Sequence, residues 1–290
     1  MKNSNFETLL EDLRISFRFA WKNVISYVLA MIGVLIVAGI LMVIMAAVII
    51  VPVILVWGLE PMIQFFVSLG QNWSVLQGAE MFSLIVFLAI PLFGPFLVAL
   101  GALFGMAREI VESDGTTAEG VFVWYRKKFL SLAGGGVVLF LVSLMPIALM
   151  SIWAFTVTGS WMLGLPMAAV AAFAVVWLVM TTGMLSMLFP GIIDGLSVLG
   201  AVKQSVRLTR QYFDRVFGTW LSYIAVFIIF SALTVVMIPL GVIAGLALVF
   251  LALPAMTIGL TRVYLILTDN ASAAETTEDE GPGVRIVGGV

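Results

Sequence analysis

Six long stretches of this chain are almost free of charge: roughly 25–51, 82–106, 130–157, 162–189, 216–238 and 240–267. Only the last holds an ionisable side chain, Arg262, close to its C-terminal end. About 20 consecutive apolar residues suffice to cross a bilayer as a helix, and a helix satisfies its own backbone there. A water-soluble fold is ruled against by area. Hydrophobic residues make up 62% of the 290 positions and charged residues 10%, against roughly half and a quarter in ordinary soluble domains. A compact chain of this length still exposes much of its surface, and here that surface would be apolar.

The charges between the stretches fix an orientation. Residues 1–24, 107–129 and 190–215 hold four Lys or Arg each, and the end of the chain holds the remaining two of fourteen. The intervening connections hold none; the first of them, 58–81, has only Glu60 and Glu80. Basic loops stay on the cytoplasmic side, so the alternation predicts six spans with both termini cytoplasmic. The expected fold is therefore all-α: a polytopic transmembrane helical bundle, with residues 25–268 as its membrane domain. Residues 1–23 mix acids and bases (Glu7, Glu11, Asp12, Arg14, Arg18, Lys22) and do not read as a cleavable signal peptide. Residues 269–290, acidic and rich in Thr, Ala and Gly, are expected to be a disordered cytoplasmic tail.

Two cytoplasmic segments share a pattern. Leu-Arg-Ile-Ser-Phe-Arg at 13–18 and Val-Lys-Gln-Ser-Val-Arg at 202–207 both read apolar–basic–x–Ser–x–Arg, and each precedes a span. Both have the helical period. The first sets Glu7, Glu11, Arg14, Arg18 and Lys22 against Phe6, Leu10, Leu13, Phe17 and Val24. The second sets Lys203, Arg207, Arg210 and Asp214 against Leu199, Val202, Val206, Phe213 and Val216. Basic amphipathic helices joined to spans belong in the headgroup plane. Trp124-Tyr125-Arg126-Lys127-Lys128, before the third span, reads as a degenerate third copy. The chain thus parses into three hairpins, each introduced by an interfacial segment.

Pro190 to Phe227 carries a resemblance. A short loop after the fourth span leads into a helix with Ala201, Lys203 and Ser205 in an Ala-x-Lys-x-Ser core, followed by an aromatic entry into the next span. This resembles prokaryotic six-span membrane proteins that include the membrane domain attached to some glycerophosphodiester phosphodiesterases. The resemblance implies a helical fold in a prokaryotic cell membrane and implies no activity, since the catalytic barrel is absent.

Reactive groups are scarce. There is no Cys and no His, which removes thiolate chemistry and the commonest base and metal ligand. Intramembrane ionisable residues usually mark ion coupling or catalysis, and the first five spans have none. Ser143, Ser151, Thr156, Thr181, Thr182, Ser186, Ser231, Thr234 and Thr257 are the polar groups in the spans; back-bonding within helices is their ordinary use. Asp194 is the sharpest single residue. It is expected either to bind a cation or pair with Lys203 or Arg207, or else to cap a helix starting near Ser197 or pair for structure alone. Gly101/Gly105 and Gly241/Gly245 have the spacing that lets helix backbones approach. Pro91, Pro95, Pro146 and Pro254 should kink their spans.

The expected function is non-enzymatic: a scaffold, assembly factor or accessory subunit. The alternative is a passive transporter, channel or lipid-handling protein with a Ser/Thr-lined cleft. No cofactor and no metal is expected. The expected partners are the anionic headgroups of the bilayer and a membrane protein or second copy of the chain, and not nucleic acid. The candidate interfacial or structural residues are Arg14, Ser16, Arg18, Asp194, Lys203, Ser205, Arg207 and Arg210.

Overall fold

The computed structural model describes residues 6–71, 79–113, 119–158, 165–236 and 238–279. Among these residues every regular element is helical. In chain order they are α1 (Phe6–Lys22), α2 (Val24–Trp57), α3 (Leu59–Gln71), α4 (Ala79–Ser113), α5 (Gly120–Thr158), α6 (Leu165–Met184), α7 (Leu188–Ile193), α8 (Val198–Gln211), α9 (Phe213–Val236), α10 (Ile238–Ala247), a π-helical turn at Leu248–Ala252, and α11 (Leu253–Asp279).

Five stretches are long and apolar enough to cross a membrane: Val24–Val48, Gly120–Ile147, Ala169–Ile193, Phe213–Leu233 and Gly241–Thr268. The remaining expected span, 82–106, falls inside α4; the side chains of 79–94 lie outside the described residues. The fourth expected span, 162–189, stops short. Its helix ends at Met184, a turn covers 185–187, and the six-residue α7 follows with every residue buried. Pro190 sits in that first turn, where a proline is tolerated. At the other end, α11 runs on to Asp279 and so takes in part of the acidic tail that composition leaves without structure; 280–290 lie outside the described residues. The π turn at 248–252 immediately precedes Pro254. Proline lacks the N–H that would reach back into the preceding turn, and a widened turn accommodates that loss.

Each of three amphipathic segments meets the apolar helix that follows it through one non-helical residue. These are Asn23 (φ −107°, ψ 19°), Lys128 inside α5 (φ −136°, ψ 22°) and Tyr212 (φ −126°, ψ 47°). The burial pattern keeps the same register before each break. Seven positions earlier stand Ser16, Val121 and Ser205, all fully buried; three positions earlier stand Ala20, Tyr125 and Thr209, also buried. We call α1, 120–127 and α8 the foot helices.

Each foot packs mainly on helices other than the one it introduces. The foot α1 lies on α9 and α11. Residues 120–127 lie on α2 and α4, with the Phe122 ring at Gly33 and the Trp124 ring at Gly105. The foot α8 lies on α6 and α7. The long helices contact one another in the order α2, α4, α5, α6, α9 and α10–α11, and the π turn closes the series back onto α2. Helix α4 also crosses to α11, and its residues 101–107 are buried without exception.

Close helix approach falls on a glycine that spacing alone did not single out. A Cβ on Gly136 would stand 2.9 Å from the backbone N of Val98 in α4. Gly101 and Gly105 instead make room for rings, Phe189 at the first and Trp124 at the second, and Gly245 has open space around it.

Candidate functional site: the charged end of the bundle

The feet, the C-terminal end of α4, α7 and the last turns of the membrane part of α11 meet at one end of the molecule. Two ionic clusters there join elements far apart in sequence.

The first centres on Asp12 of α1, whose side chain is only 5% exposed. Its carboxylate accepts a hydrogen bond from Arg215 at the start of α9 (3.2 Å) and another from Arg262 of α11. Beside it, Ser16 is fully buried and donates to the Asp12 carbonyl at 2.6 Å. Tyr223 of α9 and Ser16 both press on Gly259, where a Cβ would stand 2.1 Å from the Tyr223 hydroxyl. No other residue type fits there without displacing that ring. Asp12 lies off the charged stripe of α1, between its acidic and basic neighbours, and an acid out of register with its stripe is the signal that could have marked it.

The second cluster holds α7 in place. Asp194, at the C-terminal end of α7, accepts from Arg108 of α4 at 2.7 Å and from the Tyr264 hydroxyl of α11 at 3.2 Å. Arg108 also reaches Glu112 at 2.8 Å. Burial works against the Arg108 charge, but Glu112 and Asp194 outweigh it and hold its pKa above the ordinary value. The Lys128 ammonium donates to the Ile192 and Ile193 carbonyls at 2.7 and 2.9 Å, capping the last turn of α7. The Phe189 ring of α7 stacks on Phe104 of α4, centroids 5.4 Å apart. The expected pairing of Asp194 with Lys203 or Arg207 is thus corrected. Those bases stand on the outer face of α8, while Asp194 turns toward α4 and α11. Ser197, not Asp194, caps α8, accepting from Gly200 N at 3.2 Å.

The side of α8 buried against the bundle is Ala201, Ser205, Leu208 and Thr209. Ser205 donates to the Met184 carbonyl at 2.7 Å and accepts from Met187 N at 3.1 Å, so one hydroxyl satisfies both sides of the break between α6 and α7. Of the apolar stripe, Val216 is buried and Val202 and Val206 are partly buried against the core, while Leu199 is 71% and Phe213 47% exposed. Lys203, Arg207 and Arg210 are exposed beside them, as are Arg14 and Arg18 on α1. Small side chains with Leu208 make the close seat of α8, and Leu199 is left outside with the bases. Residues Val202, Lys203, Val206, Arg207, Arg210 and Gln211 line an open groove of about 580 Å³.

Among the described span hydroxyls, Thr181 and Thr182 bond back to the carbonyls of Trp177 and Leu178, and Thr257 to Pro254. Ser143 and Ser186 are buried with no hydrogen-bond partner among the described residues. Trp220 is buried, and the partly buried Trp124 donates its indole N–H to Glu109 at 2.9 Å. Trp21 is exposed. No family profile, curated protein or solved structure matches this chain. The class is therefore set by the fold alone: an all-helical protein with at least five helices fit to cross a membrane.

Proposed function

We propose that this is a six-span protein of a prokaryotic cell membrane, both termini cytoplasmic, acting as a scaffold or accessory subunit and not as an enzyme. Helix α4 supplies the sixth span, which places all three feet on one side of the bilayer. That side is the cytoplasm by the bias of Lys and Arg. The common break and burial register of the feet support three repeated units, and the likeness of residues 190–227 to six-span prokaryotic proteins points the same way. One observation carries the functional reading: the bridging charges at the charged end are spent on holding elements together. Asp12 ties α1 to α9 and α11, and Asp194 ties α7 to α4 and α11. Groups committed to such contacts are poorly placed to shuttle protons or ions. A passive conduit is the second reading, favoured by the buried, unpartnered hydroxyls of Ser143 and Ser186.

The two readings separate in purified protein reconstituted into liposomes. The scaffold reading expects no solute efflux and no lipid scrambling above protein-free vesicles, and a stoichiometric membrane protein retained in mild detergent. Efflux or scrambling by the protein alone sinks it in favour of the conduit.

A further inference from the structure

We propose that the groove on the outer face of α8 is a site for a single anionic phospholipid. The inference rests on the bilayer placement argued above, and not on the scaffold role. Lys203, Arg207 and Arg210 recur at steps of four and three, so their cationic ends gather along one side of the helix. Val202 and Val206 lie to one side of them as an apolar floor, and Gln211 lies to the other. The side of α8 facing the protein is filled by Ala201, Ser205, Leu208 and Thr209, with Val202 and Val206 packed at its edge and still partly exposed to the groove. An apolar floor with a cationic rim matches an occupant that is apolar in its body and anionic at its head. Free phosphate would use the rim and waste the floor. A nucleic acid would meet three bases beside exposed Leu199 and Phe213, which it has no use for.

Position supports the same occupant. The span α9 begins one residue after α8 ends, with only Tyr212 between them. Leu199 at one end of the helix and Phe213 just past the other are both exposed. An apolar side chain at each end holds α8 at the depth where headgroup meets acyl chain. At that depth the phosphate of a phosphatidylglycerol lies beside Lys203, Arg207 and Arg210, and its upper acyl carbons lie on Val202 and Val206. The foot α1 also carries exposed Arg14, Arg18 and Lys22, which makes it the natural control for attraction by charge alone.

The test is native mass spectrometry of the full chain in non-ionic detergent, titrated with phosphatidylglycerol or phosphatidylcholine. The unmodified protein should retain one phosphatidylglycerol in preference to phosphatidylcholine. Each neutralised base near anionic lipid should weaken retention on the order of five-fold, so K203Q/R207Q/R210Q should all but abolish it. The matched variant R14Q/R18Q/K22Q should keep it. V206Q, which spoils the floor and leaves the bases, should weaken retention of phosphatidylglycerol several-fold. If the triple α8 variant does not fold, K203Q alone gives the same reading at its smaller size. Equal retention of both lipids overturns the proposal. Equal loss in the α1 and α8 variants overturns it in favour of diffuse charge, and displacement of the lipid by millimolar inorganic phosphate overturns it in favour of a phosphate site. None of these results bears on efflux or partner capture, and cysteine labelling of the topology tests the bilayer placement separately.

Discussion

Asp12 is bound by two arginines that stand 203 and 250 positions further along the chain. Composition showed it only as one more charge in a mixed N-terminal segment. Its role was hidden because helix periodicity says which residues share a face and nothing about which distant helix that face meets. Ser16 and Ser205 were legible as a repeated pattern, and both turn out fully buried; the arginines and lysine flanking them stay outside. Asp194 was legible as a residue that could pair for structure, but not in its partners, since Arg108 and Tyr264 lie on helices that sequence order does not bring near it. D12N should leave Arg215 and Arg262 facing each other without their shared carboxylate. Removing one member of a buried ion pair costs about 3–5 kcal/mol. The arginine side chains are 22% and 24% exposed, so solvent screening reduces the expected loss to about 1–3 kcal/mol. Thermal unfolding in detergent reads it, and an unchanged midpoint would remove Asp12 from the set of residues that hold the feet.

Among the elements, five of the six apolar runs fall on helices long and apolar enough to cross a membrane, and the other falls inside α4. The break between α6 and α7 left no mark in the charge pattern: 162–189 is apolar throughout, and burial in protein and burial in lipid select the same residue types. Pro190 was the one available sign, a residue that helix interiors avoid. Helix contact was legible in kind and not in place. Glycine spacing pointed to 101/105 and 241/245, whereas the backbone approach occurs at Gly136 against Val98, with Leu97 beside it. G136A places a methyl where only backbone stands, and neither helix can rotate a backbone away. We expect a loss of about 1–3 kcal/mol, the range for overpacking, in reversible unfolding. G245A, with open space around it, should change stability by less than about 0.5 kcal/mol.

For the whole molecule, the alternation of basic and base-free connections predicts sidedness that can be mapped directly. The chain has no cysteine, so each single substitution reports alone. R18C, R126C and R207C in intact cells should resist a membrane-impermeant maleimide until the cells are opened, while Q64C in α3 should react from outside. Labelling of Q64C and R207C from the same side would remove the six-span arrangement. The arrangement of the long helices around the bundle was not legible at all. It depends on which foot seats on which hairpin, and the feet differ too little in composition to announce their partners.

The seat of α1 has a consequence for how the chain is made. Helix α1 leaves the ribosome well before α9 and α11, on which it docks. Until those helices are inserted, Asp12 has neither of its arginines, and the buried face of α1 has nothing to cover it. The foot α1 must therefore wait while the helices between it and α9 assemble without it. The Asp12 cluster then acts as a completion mark, formed only when translation has passed Arg262, so a chain halted in its last span would be left open at its beginning.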